Sequence, residues 1–159
     1  QVQTITKQLA ALDSVHAGDY QKNGKQYIKK LEQLQSSQQA AAAQCANANV
    51  LIFHEAFAYV ARDYGLHVSG GMDLDEERQI SAGEVADLLS RIREQKAGVI
   101  LAEELYGKQM CEAIKREADV QVIYLDTCVR GEDDADSYLN AMRENISKVQ
   151  QIRTKSNKE

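Results

Sequence analysis

From residue 49 onward the chain repeats one unit, a short apolar burst followed by an amphipathic stretch. The bursts are "NVLIF" (49–53), "LHVSG" (66–70), "GVILA" (98–102) and "VQVIYL" (120–125). They read as short buried strands. The stretches after them have helical spacing. The first, about 55–64, places Phe57, Val60, Ala61 and Tyr64 on one face and stops at Gly65. The second, 81–96, opens with Ser81 and Glu84 in capping-box spacing and carries Val85, Leu88, Leu89 and Ile92 inward. The third, about 105–117, turns Met110, Ala113 and Ile114 inward, and the last, about 134–151, does so with Tyr138, Met142, Asn145, Ile146 and Val149. Alternating strands and helices predict an α/β fold: a four-stranded parallel sheet with helices on both faces.

Residues 1–46 read differently. Almost nothing there breaks a helix, so the sequence predicts a short helix to about Leu12 and one long helix from about Val15 to Gln44, with Tyr20, Tyr27, Leu31 and Leu34 on one face. "QQAAAAQ" is a strong helix former and reads as a surface helix end. The expected organisation is therefore an N-terminal helical segment (1–46), an α/β lobe (47–152) and a polar tail (153–159). The chain opens inside a helix without a signal-peptide pattern, so the natural N-terminus is expected upstream.

Composition excludes several functions. A net charge of −5 leaves no basic patch for a phosphate backbone, so nucleic-acid binding is not expected. The longest apolar run is too short to span a bilayer. Cys45, Cys111 and Cys128 show no CxxC spacing. In a parallel sheet Cys45 and Cys128 fall at opposite ends, roughly 15 Å apart and beyond disulfide reach. All three read as packing or incidental residues, with a zinc–cysteine site as the rival.

Open α/β sheets bind ligands beyond the carboxyl ends of their strands. Those ends carry His54, Glu103 and Asp126, all metal-competent side chains. For His54, helix capping and metal ligation both remain open on this reading. "FHEAF" has bulky residues where a phosphate-binding loop needs glycine, which disfavours a nucleotide cofactor. "GEDDAD" (131–136) lacks the spacing of an EF-hand and reads as a solvated acidic helix start. His16 and His67 read as surface residues.

"FHEAFAYVARDYGL" resembles the segment that opens the C-terminal lobe in the metal-binding substrate-binding proteins of zinc and manganese ABC importers. Further blocks match in order: "LDSVHAGDYQKNGKQYIKKLEQL" is similar to the family's interlobe helix, "GVILAEELYGKQMCEAI" to its third strand and helix, and "VIYLDTCV…DSYLNAMRENI" to its last unit. The resemblance implies an interlobe helix plus C-terminal lobe, without the N-terminal lobe that supplies two further histidines. It implies that His54 and Asp126 are metal ligands and that Glu103 stands beside the site. The family usually has proline after those acids; Glu104 and Thr127 stand there instead, and Ser14 follows Asp13, which bears on loop shape more than on ligand chemistry.

Histidine at position 54 favours zinc, with manganese as the alternative. The other partners implied are the importer's membrane permease and the N-terminal lobe, at an extracytoplasmic location. With no nucleophile–base pair, catalysis is not expected. A zinc hydrolase using His54, Glu103 and Asp126 with Glu55 as base, or a non-catalytic interaction module, are the alternatives. His54 and Asp126 are expected at one edge of the sheet with side chains converging and Glu103 behind them. The isolated chain is expected to bind zinc weakly and to be prone to self-association through surface that meets the N-terminal lobe.

Overall fold

The computed structural model describes residues 1–72, 81–94 and 97–152. The chain divides into two compact units, Gln1–Ser37 and Gln38–Glu159.

The first unit holds α1 (Val2–Leu12) and most of α2 (Ala17–Cys45). Asp13 organises the turn between them: its carboxylate accepts from the His16 backbone N–H at 3.3 Å and from the Tyr20 hydroxyl at 3.0 Å, and it meets His16 Nδ1 at 2.8 Å. His16, expected at the surface, is exposed there. The His16 contact comes first in holding the Asp13 carboxyl below the usual carboxylate range. Gly24 is required where it stands, because a Cβ would collide with the Thr6 side chain across the helix pair.

The second unit contains β1 (Asn49–Ile52), α3 (Phe57–Tyr64), β2 (His67–Gly71), α4 (Ala82–Glu94), β3 (Val99–Ala102), α5 (Glu104–Glu117), β4 (Gln121–Tyr124) and α6 (Ser137–Val149). The strands form one sheet, ordered β2-β1-β3-β4 and parallel throughout. Both central strands are apolar on both faces, as their continuous hydrophobicity requires. Leu51, Phe53, Ile100 and Ala102 point to one side and meet Leu88 and Ile92 of α4 and Cys111 and Ile114 of α5. Val50, Val99 and Leu101 alternate to the other side and are equally buried. α3 packs on β1 and β2, and α6 on β4.

The local signals at helix ends operate as the sequence indicates. Ser81 and Glu84 form the capping box: the Ser81 N–H donates to Glu84 Oε2 at 2.9 Å while the Glu84 N–H donates to Ser81 Oγ at 3.3 Å. Gly65 ends α3 at φ 65° in the left-handed region. The final two residues of the 81–96 helix and the 153–159 tail lie outside the described residues.

Two expectations are corrected. The second strand is not buried: Val68 is 38% exposed and His67, as expected of it, lies at the surface. Its sequence, HVSGG, offers little to bury, and an edge strand has only one neighbour. It also bulges, since the register with β1 slips between Val50 and Leu51, and Gly70 there takes φ 154°. The last helix starts at Ser137 rather than near Asp134. The acidic run before it is a turn in which Asp134 Oδ1 accepts the Asp136 N–H at 2.7 Å.

Because Ile100 is fully buried between sheet and helices, Ile100→Ala is expected to destabilise the chain by about 2–5 kcal/mol. Val68→Thr on the exposed edge should stay within about 0.5 kcal/mol of wild type. Urea unfolding measures both, and comparable losses at the two positions would contradict this assignment of centre and edge.

Candidate metal site

The last ladder bonds fix where the candidate residues emerge. The Phe53 N–H reaches the Leu101 carbonyl at 2.9 Å, and the Leu125 N–H reaches the Ala102 carbonyl at 2.9 Å. His54 and Asp126 are therefore the first residues past those bonds, and Glu103 directly follows β3 between them. All three stand at one edge of the sheet, on neighbouring strands β1, β3 and β4. Two strand spacings, about 10 Å, separate the backbones of the outer pair.

Each residue is held differently. His54 is half-buried and packs its ring against Phe57, centroids 5.8 Å apart. Its Nδ1 accepts the Ala56 backbone N–H at 3.0 Å, which satisfies one of the donors left over at the start of α3. The Phe57, Ala58 and Tyr59 N–H groups bond three residues back, to His54, Glu55 and Ala56, so 54–56 form a tight turn rather than the expected start of the helix. With Nδ1 accepting, the neutral ring carries its proton on Nε2. In this arrangement the His54 ring closes the turn that leads into α3, and donation of a lone pair from Nδ1 to a cation requires the ring to leave the Ala56 N–H.

Glu103 occupies the cap position of α5 without bonding to the helix through its side chain. Its Oε1 accepts the Thr127 hydroxyl at 3.3 Å, which joins the ends of β3 and β4. Asp126 is exposed and sits in a loop closed on itself, where the Cys128 N–H donates to Asp126 Oδ1 at 2.7 Å. Cys128 takes φ 59°, uncommon for a residue with a side chain.

One contributor escaped the sequence reading. Asn145, counted there on the inward stripe of the last helix, is buried at 8% exposure. Its amide oxygen accepts the Asp126 N–H at 2.8 Å and its amide nitrogen donates to the Asp126 carbonyl at 2.8 Å. The available signal was the asparagine itself, a polar residue in an otherwise apolar stripe.

The three candidate residues share an edge, yet no group of three or more His, Cys, Asp or Glu side chains is close enough to hold a metal ion among the described residues. The zinc–cysteine rival finds no such cluster either. Cys45 and Cys111 are core residues, and burial pushes the Cys111 thiol up to about 12. Cys128 packs its sulfur 3.7 Å from that of Met142.

Residues 1–152 match the family described as the zinc-uptake complex component A, periplasmic. The chain belongs to that family. It is 27% identical over 150 residues to the high-affinity zinc uptake system protein ZnuA of Bacillus subtilis, covering 92% of this chain and 47% of that protein. It is 26% identical over 136 residues to the zinc-binding lipoprotein AdcA of Streptococcus pneumoniae, covering 83% of this chain and 27% of that one. Among solved structures, the substrate-binding protein FpvC of Pseudomonas aeruginosa in complex with Mn2+ superposes with a TM-score of 0.75 at 25% identity, over 93% of this chain and 54% of that one. The chain thus spans about half or less of the length of these relatives. The family resemblance read from the sequence is met.

The turn geometry at His54 is open to direct measurement. Long-range 15N–1H correlation on the metal-free chain at alkaline pH is expected to show its ring as the Nε2–H tautomer; a proton on Nδ1 would mean that the bond to Ala56 is not formed.

Proposed function

We propose that this chain is the C-terminal lobe of an extracytoplasmic binding protein that carries a divalent metal ion to the membrane permease of an ABC importer, with His54 and Asp126 as its ligands. The observation that carries the reading is the emergence of His54, Glu103 and Asp126 side by side at the carboxyl edge of β1, β3 and β4. Family membership over 1–152 supports the same class. The periplasmic family description and the lipoprotein relative support the location, and no helix among the described residues is long and apolar enough to cross a membrane.

The chemistry suits carriage. An imidazole and a carboxylate supply two of the four donors of a tetrahedral zinc ion and leave the rest to a facing lobe or to water. An ion held from both sides of a cleft is released when the cleft opens, which a carrier needs and a resident cofactor does not. Glu103, tied to Thr127, adds negative charge beside the ion without closing the coordination sphere. Imidazole favours zinc over manganese. The named relatives span zinc and Mn2+, so manganese stands as the alternative cargo. The reading is of binding without turnover.

Isothermal calorimetry with zinc tests the proposal. The chain alone is expected to bind weakly and His54→Ala to remove that binding, whereas joining the chain to an N-terminal lobe with two further histidines should tighten it greatly. Tight stoichiometric binding indifferent to both His54→Ala and Asp126→Ala would sink the site, and metal-dependent hydrolysis abolished by His54→Ala would replace carriage with catalysis.

A further inference from the structure

We infer that Asn145 is a positioning residue for the bound cation: from α6 it clamps the backbone of Asp126 so that the carboxylate presents one oxygen to the ion. The inference rests on the reading of Asp126 as a ligand and adds to it the group that orients that ligand.

The geometry is that of a strand partner supplied by a side chain. Past the bond from the Leu125 N–H to Ala102, the backbone of Asp126 has left the ladder. A peptide group there needs a donor and an acceptor or is solvated and loose. Asn145 offers both from one planar amide, accepting from the Asp126 N–H and donating to the Asp126 carbonyl, each at 2.8 Å. Two bonds to one residue fix its orientation as a single bond does not. The amide sits in a helix otherwise buried through Leu139, Ile146 and Val149, and it is the buried polar side chain among the described residues. Its position is therefore set by packing, so the clamp is rigid at its root.

The carboxylate is oriented in turn. Oδ1 accepts the Cys128 N–H at 2.7 Å, which fixes the side-chain torsion. That engages one lone pair of Oδ1 and turns Oδ2, the oxygen we assign to the ion, away from the Cys128 N–H. A contact that only closed the loop would be indifferent to Asp126's carboxylate; one that positions a ligand loses its value when the carboxylate is gone. The two roles separate in a double-mutant cycle.

The experiment uses the whole chain with zinc alone as the probe, read by calorimetry, with Co2+ absorption as a report on coordination. Asn145→Asp keeps the oxygen for the Asp126 N–H but sets a second oxygen against the Asp126 carbonyl. It is expected to weaken zinc binding by about 10–100-fold, the usual range for the partner of a metal ligand, and to change the Co2+ spectrum. In the Asp126→Asn background, which removes the carboxylate but keeps an oxygen at the site, the same substitution should add nothing. If Asp126→Ala abolishes binding while Asn145→Asp leaves it intact, the positioning role is wrong and the ligand reading stands. If Asp126→Ala binds zinc as wild type does, the ligand reading fails and takes this inference with it. An equal loss in both backgrounds would reduce Asn145 to a structural residue. Should Asn145→Asp not fold, Asn145→Ser leaves room for a bridging water and is expected to give a smaller loss, again only with Asp126 present. In the wild-type chain the Asp126 amide should exchange its hydrogen slowly despite lying in an exposed loop, and fast exchange there would overturn the clamp.

Discussion

Parallel hydrogen bonding between β1 and β3 sets the terms for the rest of the sheet unit, because parallel neighbours cannot be joined by a tight turn and each crossover must return over a face of the sheet. Here the path from β1 first runs outward through α3 to β2, then comes back over β1 through α4 to reach β3, and continues outward through α5 to β4. The outward directions diverge between β1 and β3. The loops leaving those two strands part from each other, and the gap between them is flanked by His54 and Glu103. The same pairing buries both faces of the central strands and brings every strand's carboxyl end to one edge. Placement of the candidate site is thus a consequence of strand order before any side-chain chemistry enters.

At that edge the two proposed ligands are prepared to different degrees. Asp126 is held by its backbone and by one carboxylate oxygen. His54 uses the nitrogen facing its own helix for another purpose. One ligand is preorganised and the other is conditional. Ligands on rigid supports give affinity, and a ligand that must first give up a partner lowers it. The combination suits an ion that is to be passed on.

Much of this was legible in the residues. Apolar bursts separated by helical periodicity determine a parallel α/β sheet, and the Ser81–Glu84 spacing and Gly65 place two helix ends within a residue. The rule that ligands bind at strand carboxyl ends was enough to single out His54, Glu103 and Asp126. What escaped was information that periodicity does not carry. A burst of apolar letters does not say how many neighbours a strand will have, so the edge position of β2 was hidden behind Leu66 and Val68. The turn at 54–56 arises from a histidine bonding to its own helix, a choice of partner rather than a pattern. Asn145 was placed on the correct face but counted with its apolar neighbours, because helical spacing gives the direction of a side chain and not its hydrogen bonds.

A lone pair serves one acceptor role at a time. With His54 as ligand, the bond from the Ala56 N–H and the cation compete for the same ring, whichever nitrogen meets the metal: coordination at Nδ1 takes the lone pair directly, and coordination at Nε2 moves the ring proton onto Nδ1. Linkage then makes the competition reciprocal. Whatever that bond subtracts from the affinity for an ion, the ion would subtract from the stability of the turn at 54–56. With an ion on His54, loading would loosen that turn and unloading would tighten it again.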